Sequence, residues 1–149
     1  MTGETLAEAL AEATQILERA GVPSPRVDAE LLAAHLMAES LGRIRSLALT
    51  GALVPPEFGE LVAERARRVP LQHITGKAYF RHLELQVGPG VFIPRPETET
   101  VAQYAIDRAV KIPRAKVVDL GTGSGAIAAS IAQEVPGAEV IAVELSDLA

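Results

Sequence analysis

The 149-residue sequence contains no cysteine, no tryptophan and no asparagine. Without cysteine there is no disulfide, no thiolate metal site and no cysteine nucleophile. Aromatic residues make up only 3% of the chain, too few for the stacking platforms that hold single-stranded nucleic acid. No apolar run approaches the eighteen or so residues of a membrane span, and the start lacks the basic-then-apolar pattern of a signal peptide. A cytoplasmic protein with no membrane partner is expected. His35, His73 and His82 fall at no ligand-like spacing, so no metal site is expected, and His35 reads as a packing residue on a helix face. Basic residues are in deficit: 14 Lys and Arg against 19 Asp and Glu leave a net charge of −5. A protein that lives on phosphate backbones wants a basic face, so direct nucleic-acid binding is not expected. No Ser/His/Asp or paired-carboxylate arrangement stands out. What is present is 48% hydrophobic. That is enough for one domain of ordinary size, or a small domain and part of a second.

Periodicity divides the chain. Residues 1–70 read as a helical bundle with short connections. Leu6, Ala9, Leu10, Ala13, Ile16 and Leu17 form one apolar stripe at helical spacing, stopped by Gly21. Ala29, Leu32, Ala33, Leu36 and Met37 form a second, closing near Gly42. A short helix is expected over Ile44–Leu49. Pro55-Pro56-Glu57 looks like the start of a fourth, continuing through Phe58, Leu61, Val62, Arg65 and Val69. Asp28, Glu30 and the run Glu64-Arg65-Ala66-Arg67-Arg68 read as solvated helix faces. The sharper reading of Arg65, Arg67 and Arg68 is a contact to an acidic partner or ribosomal RNA. Residues 71–90 form a linker, with a turn-like joint at Leu71–Gly76. There Tyr79-Phe80, Leu83, Leu85 and Val87 suggest a β-hairpin turning near Arg81-His82. From 91 on, Pro96 with two following acids starts a helix through Val101, Tyr104, Ala105 and Ala109, ended by Pro113. A buried strand, Lys116–Leu120, then leads into glycines, a helix from about Gly123 to Glu134, and a second strand ending at Glu144.

That last stretch is the most informative. Asp119-Leu120-Gly121-Thr122-Gly123-Ser124-Gly125, with Glu144 at the tip of the next strand, makes a nucleoside-binding corner. Glycines let the backbone approach a ligand, and the carboxylate can accept both ribose hydroxyls. Two cofactor classes use such a corner. Gly121, Gly123 and Ala126 formally satisfy the dinucleotide pattern, but Asp119 would repel a pyrophosphate. S-adenosylmethionine carries a sulfonium and an ammonium, and an acid beside it is welcome. Asp119 would orient the turn or hold the ammonium. Gly121, Gly123 and Gly125 would let the main chain run under methionine and ribose, and Glu144 would bind the diol.

The combination of Pro70-Leu71-Gln72-His73-Ile74-Thr75-Gly76, Phe80, Val91-Phe92-Ile93-Pro94-Arg95-Pro96-Glu97-Thr98-Glu99 and the glycine motif resembles the HemK-type family, the release factor glutamine N5-methyltransferases. The resemblance implies an α/β fold. It would comprise an N-terminal helical bundle, a β-hairpin linker and the first part of a Rossmann-like S-adenosylmethionine methyltransferase domain over residues 91–149, truncated. It implies methylation of the glutamine in the Gly-Gly-Gln motif of class 1 peptide chain release factors, with the helical domain helping to engage that partner. It places Phe92, Ile93, Pro94 and Arg95 around the pocket, with Asp119, Gly121, Thr122, Gly123, Ser124, Gly125 and Glu144 on the cofactor. One departure is large. The family's Asn-Pro-Pro-Tyr motif is absent, as the lack of any asparagine requires, so no catalytic residue is expected in this chain and it is expected to be inactive alone. Two parallel strands would leave sheet edges and an apolar face uncovered, so self-association, partial disorder near the C-terminus or pairing through the second strand is expected. Other readings are a nucleic-acid amino-methyltransferase fragment and a non-catalytic partner-binding module.

Overall fold

The computed structural model describes residues 3–149. The chain divides into two compact units, one ending at Thr75 and the other spanning Gly76–Ala149. The class is α/β, with the helical bundle at the N-terminal side.

The first unit holds α1 (Leu6–Arg19), α2 (Pro25–Met37), α3 (Leu41–Leu49), α4 (Phe58–Ala66) and α5 (Leu71–Thr75). Thr5 starts α1 with a capping box. Its hydroxyl oxygen accepts the Glu8 N–H, and the Glu8 carboxylate accepts the Thr5 N–H. This satisfies two of the donors that a helix start leaves open. The expected stripe is buried through Leu6, Ala9, Leu10, Ala13 and Leu17, whereas Ile16, at the margin of the stripe, is exposed. With Leu32 and Ile44 these form the core, each large side chain contributing about 2 kcal/mol by leaving water.

Several boundaries differ from the sequence reading, each for a local reason. α2 begins at Pro25, because proline suits the first helical turn. It closes at Ala38, which adopts the left-handed conformation at φ 52°, and not near Gly42. Gly42 instead lies within α3, because Ser40 accepts the Arg43 N–H and caps a new start there. α4 is shorter at both ends than the pattern suggests: Pro55-Pro56-Glu57 forms the preceding turn, and Arg68 at φ 70° follows its end. Leu71–Thr75 is a helical turn where a plain joint was expected, because Leu71 and Ile74 pack on the bundle core. His35 is exposed and does no packing in the core.

Asp28 and Glu30 overturn the reading as a solvated face: both are buried. The Glu30 side chain is 4% exposed and accepts Arg26 Nε at 2.7 Å and Arg45 Nη2 at 2.7 Å. Burial pushes its carboxyl up, but the Arg45 and Arg26 hydrogen bonds outweigh that and leave it below the usual glutamate range. Asp28 Oδ2 accepts Arg65 Nε at 2.7 Å, with the two side chains 13% and 12% exposed. Arg65 also donates to the Val69 carbonyl at 3.0 Å, and Arg68 donates to the Gly21 carbonyl. Two of the three arginines considered for a partner are therefore engaged within the helical unit, Arg65 largely buried and Arg68 at its surface. Arg67 is exposed.

The second unit begins with the expected hairpin, β1 (Lys77–Phe80) and β2 (Leu83–Gln86), turning through Arg81-His82 with Phe80 opposite Leu83. α6 (Thr98–Ala109), β3 (Lys116–Leu120), α7 (Ala126–Glu134) and β4 (Glu139–Val143) follow. α7 starts at Ala126, later than the pattern suggests, because Gly121–Gly125 is spent on the turn that leads into it. α6 buries Ala102, Ile106 and Ala109, one step round from Val101 and Tyr104, which face water. Phe80 and Leu85 of the hairpin share a cluster with Ala102 and Ala126. β3 and β4 are parallel, with Asp119 beside Ala142 and Leu120 beside Val143. Val117 and Val140 pack with α7 residues Ile127 and Ile131. Val118, Leu120, Ile141 and Val143 are exposed, and the register pairs them on the alternate face.

The Asp28–Arg65 pair generates a prediction. Asp28→Ala leaves a nearly buried guanidinium without its acceptor, which is expected to destabilise the helical unit by about 3 kcal/mol. Urea denaturation followed by circular dichroism checks it; an unchanged midpoint would mean the pair is dispensable.

Candidate functional site

β3 delivers Asp119 to the start of a five-residue turn. Gly121, Gly123 and Gly125 in that turn have φ of 74°, 53° and 76°. Residues with a Cβ are strained by roughly 1 kcal/mol or more there, so glycines at alternate positions are what this path requires. A Cβ added at Gly121 or Gly125 would meet nothing within 4 Å. These two glycines therefore serve the backbone path, and the space beside them is open. At Gly123 an added Cβ would stand 3.9 Å from the Phe92 Cβ, which places Phe92 against the turn.

Three groups fix the turn from outside. The Val143 carbonyl accepts the N–H of Gly121 at 2.8 Å and of Thr122 at 3.1 Å. Asp119 Oδ2 accepts the Thr122 hydroxyl at 2.7 Å. Glu144 Oε2 accepts the Gly123 N–H at 2.7 Å, while its Oε1 accepts the N–H of Leu145 at 2.8 Å and of Ser146 at 3.1 Å. The Gly123 N–H, followed by those of Ser146 and Leu145, holds the Glu144 carboxyl below the usual glutamate range. Within the turn, the Thr122 carbonyl accepts the Gly125 N–H at 2.9 Å. Thr122, Gly123, Ser124 and Gly125 are half-buried and Gly121 is exposed.

The structure thus brings together Asp119, Thr122, Gly123, Glu144 and Phe92. Phe92 is 66% exposed, and the Arg95 guanidinium carbon lies 5.7 Å from its ring centre, within cation–π range. Ile93 and Pro94 between them in sequence are half-buried. The loop then winds into α6 through bonds from the Thr98 N–H to the Arg95 carbonyl and from the Glu99 N–H to the Pro96 carbonyl.

Sequence reasoning missed Arg81. Its Nε and Nη2 each meet a Glu134 carboxylate oxygen at 2.7 Å, and Nη2 also reaches Gln103 at 2.8 Å. Its own N–H goes to Glu99 at 3.0 Å. This two-pronged pairing ties the hairpin turn to α6 and α7. Glu99, part of the most recognisable loop, is therefore engaged in architecture. Nothing local in the sequence links residues 81 and 134; the turn position of Arg81 was the one available hint.

Residues 8–76 match the family described as the PrmC N-terminal domain. The release factor glutamine methyltransferase of Streptomyces coelicolor is 58% identical over 140 residues, covering 93% of this chain and 49% of that protein. The same-named protein of Mycolicibacterium smegmatis is 50% identical, covering 97% of this chain and 51% of the relative. That of Corynebacterium glutamicum is 52% identical, covering 95% and 50%. The chain is similar along nearly its whole length to these release factor glutamine methyltransferases. It spans about half the length of the curated relatives it matches. The PrmC N-terminal domain match ends at residue 76, one residue past Thr75, where the helical unit ends. Identity to the methyltransferases continues through the glycine turn, since the aligned stretches cover nearly the whole chain. A cavity of about 490 Å3 lies within the helical unit, lined by Ala9, Ala13, Ile16, Phe58 and Val62 among others. Its lining is mostly apolar, with Glu4 and Glu12 as the acids in it.

The open space at Gly125 separates backbone strain from crowding. Gly125→Ala is expected to destabilise the second unit by about 1 kcal/mol through φ alone. Thermal unfolding measured against wild type checks it; no change would mean the turn relaxes to negative φ without penalty.

Proposed function

We propose that this chain carries the donor-binding corner and the partner-engaging helical unit of a protein-glutamine methyltransferase. The donor is S-adenosylmethionine. The acceptor is the side-chain amide nitrogen of the glutamine in the Gly-Gly-Gln motif of class 1 release factors. The setting is cytoplasmic; among the described residues no helix is long and apolar enough to cross a membrane.

The observation that carries this reading is the pair of acids at the glycine turn. A pyrophosphate site needs free N–H donors at that turn; dinucleotide folds share the strand-tip acid, so what distinguishes this corner is the engaged Gly123 N–H and the additional acid Asp119. Here the Gly123 N–H is already given to Glu144, and Asp119 stands at the strand end. Two negative groups around bare main chain suit a ligand with a sulfonium and an ammonium. The same carboxylate at a strand tip suits a ribose diol. The exposed Phe92 ring beside Gly123 offers an apolar wall. The residues present therefore fit the donor.

The bound donor would supply an electrophilic methyl on its sulfonium, leaving as the neutral thioether. The work of these residues is to bind and orient. Glu144 would accept ribose hydroxyls, Asp119 would face the positive end, and Phe92 with Arg95 would shield one side from water. An amide nitrogen is a poor nucleophile, because its lone pair is shared with the carbonyl. It needs acceptors for its N–H hydrogens and an in-line approach. An asparagine carbonyl would suit, and this chain has no asparagine. Donor binding without turnover is the expected behaviour of the 149-residue chain.

Calorimetry with S-adenosylmethionine and with NAD, alongside a labelled-methyl assay on a release factor, tests this. The donor is expected to bind at least about ten-fold more tightly than NAD, a difference of about 1.4 kcal/mol, with no methyl transfer. Tighter NAD binding would overturn the cofactor; wild-type-like turnover would overturn the account of what the chain lacks.

A further inference from the structure

In the ligand-free chain both oxygens of the Glu144 carboxylate already accept backbone N–H groups. One oxygen accepts the Gly123 N–H at 2.7 Å. The other accepts two consecutive N–H groups, those of Leu145 and Ser146, at 2.8 Å and 3.1 Å. Its main-chain neighbour Val143 accepts two more N–H groups from the same turn. Of the bonds that fix Gly121–Gly125 from outside, three therefore come from two consecutive residues at the end of β4, and Asp119 supplies the other.

We propose that Glu144 is a positioning residue that sets the glycine turn before any ligand arrives, and that only a carboxylate can do this. The reason lies in the donor and acceptor inventory. Both ends of the side chain face backbone N–H donors. A carboxylate offers acceptors at both ends, whereas glutamine offers an acceptor at one end and an NH2 donor at the other. Whichever way the amide is flipped, one end meets N–H with N–H. The isosteric Glu144→Gln thus fails as a latch even though its shape is retained.

The arrangement matters for the donor. Oε2 holds only one of the two bonds an oxygen can readily accept. A ribose hydroxyl can therefore be accepted without releasing Gly123. The side chain that would meet the ribose is immobilised in advance, so less ordering remains to be done on binding. This last consequence rests on the function proposed above; the latch itself does not.

The latch has a pH signature. Glu144 has its carboxyl held below the ordinary range, chiefly by the Gly123 N–H. A lowered acid contributes its stabilisation above its ordinary value and loses it as pH falls through the lowered one. The Gly123 amide proton should therefore titrate with a midpoint below that of an ordinary glutamate.

Amide hydrogen exchange and nitrogen–proton spectra of the 149-residue chain, recorded without ligand, test the inference. In Glu144→Gln the Gly123 amide is expected to exchange about ten-fold faster or more, with the Val87 amide of the hairpin unchanged. Glu139→Gln, which removes the same charge from the same strand, is expected to leave Gly123 unmoved. If Glu144→Gln unfolds the second unit, the wild-type pH titration of Gly123 decides alone. An unchanged Gly123 exchange rate in a folded Glu144→Gln, or a Gly123 signal indifferent to carboxyl titration, would overturn the latch. Calorimetry with S-adenosylmethionine then separates the two claims. A present latch with no donor binding would sink the proposed function and leave the latch standing. Undiminished donor affinity in Glu144→Gln with the latch gone would sink pre-organisation.

Discussion

A carboxylate at the end of β4 closes onto the main chain of a glycine turn that begins at the end of β3. The rest of the second unit can be understood as what makes that contact geometrically available. Parallel pairing places Leu120 beside Val143, so both strands end level and the turn lies against the following residue, Glu144. Three positive φ values let the chain double back within five residues. α7 then begins at Ala126 and buries Ile131 under Val117 and Val140, anchoring the turn from its far side. Arg81 joins the hairpin to α6 and α7 through Glu134 and Gln103, which steadies the segment from which Phe92 and Arg95 project. Asp119 and Glu144, delivered by two different strands, thus hydrogen-bond to adjacent residues of one short turn, Thr122 and Gly123.

The helical unit obeys a different constraint. Its core is aliphatic apart from Phe58, and α2 buries two acids beside it. Such groups are tolerated because each meets a guanidinium at 2.7 Å, and an ion pair removed from water survives only with such geometry. The consequence is register. Asp28 on α2 meets Arg65 near the end of α4, and Glu30 meets Arg45 on α3, so three helices are keyed to one another by charge as well as by packing. Residues 8–76 match a recognised domain family, consistent with a unit that has its own core.

Local patterns carried much of the architecture. The α1 stripe, the hairpin with its turn at Arg81-His82, and the strand–glycine–helix–strand order all follow from periodicity and turn chemistry, and all are observed. Likewise, Asp119, Gly123 and Glu144, singled out from the spacing of acids and glycines, are hydrogen-bonded around one turn. What was not legible depends on distant partners. Asp28 and Glu30 look solvated on a helix until Arg65 and Arg45, far away in sequence, fold back onto them. Helix ends slipped wherever a cap competed with a glycine: Ser40 outranked Gly42, and Ala38 took a left-handed φ. The free-state engagement of Glu144 was also hidden, because residue type announces an acceptor but not which donors reach it first.

Titrating the chain with S-adenosylmethionine while following every backbone amide tests the central claim most directly. Perturbations are expected at Phe92, across Asp119 to Gly125 and at Glu144 to Ser146, with the helical unit silent. A response confined to the helical unit, or a larger response of the glycine turn to NAD than to the sulfonium donor, would contradict the account.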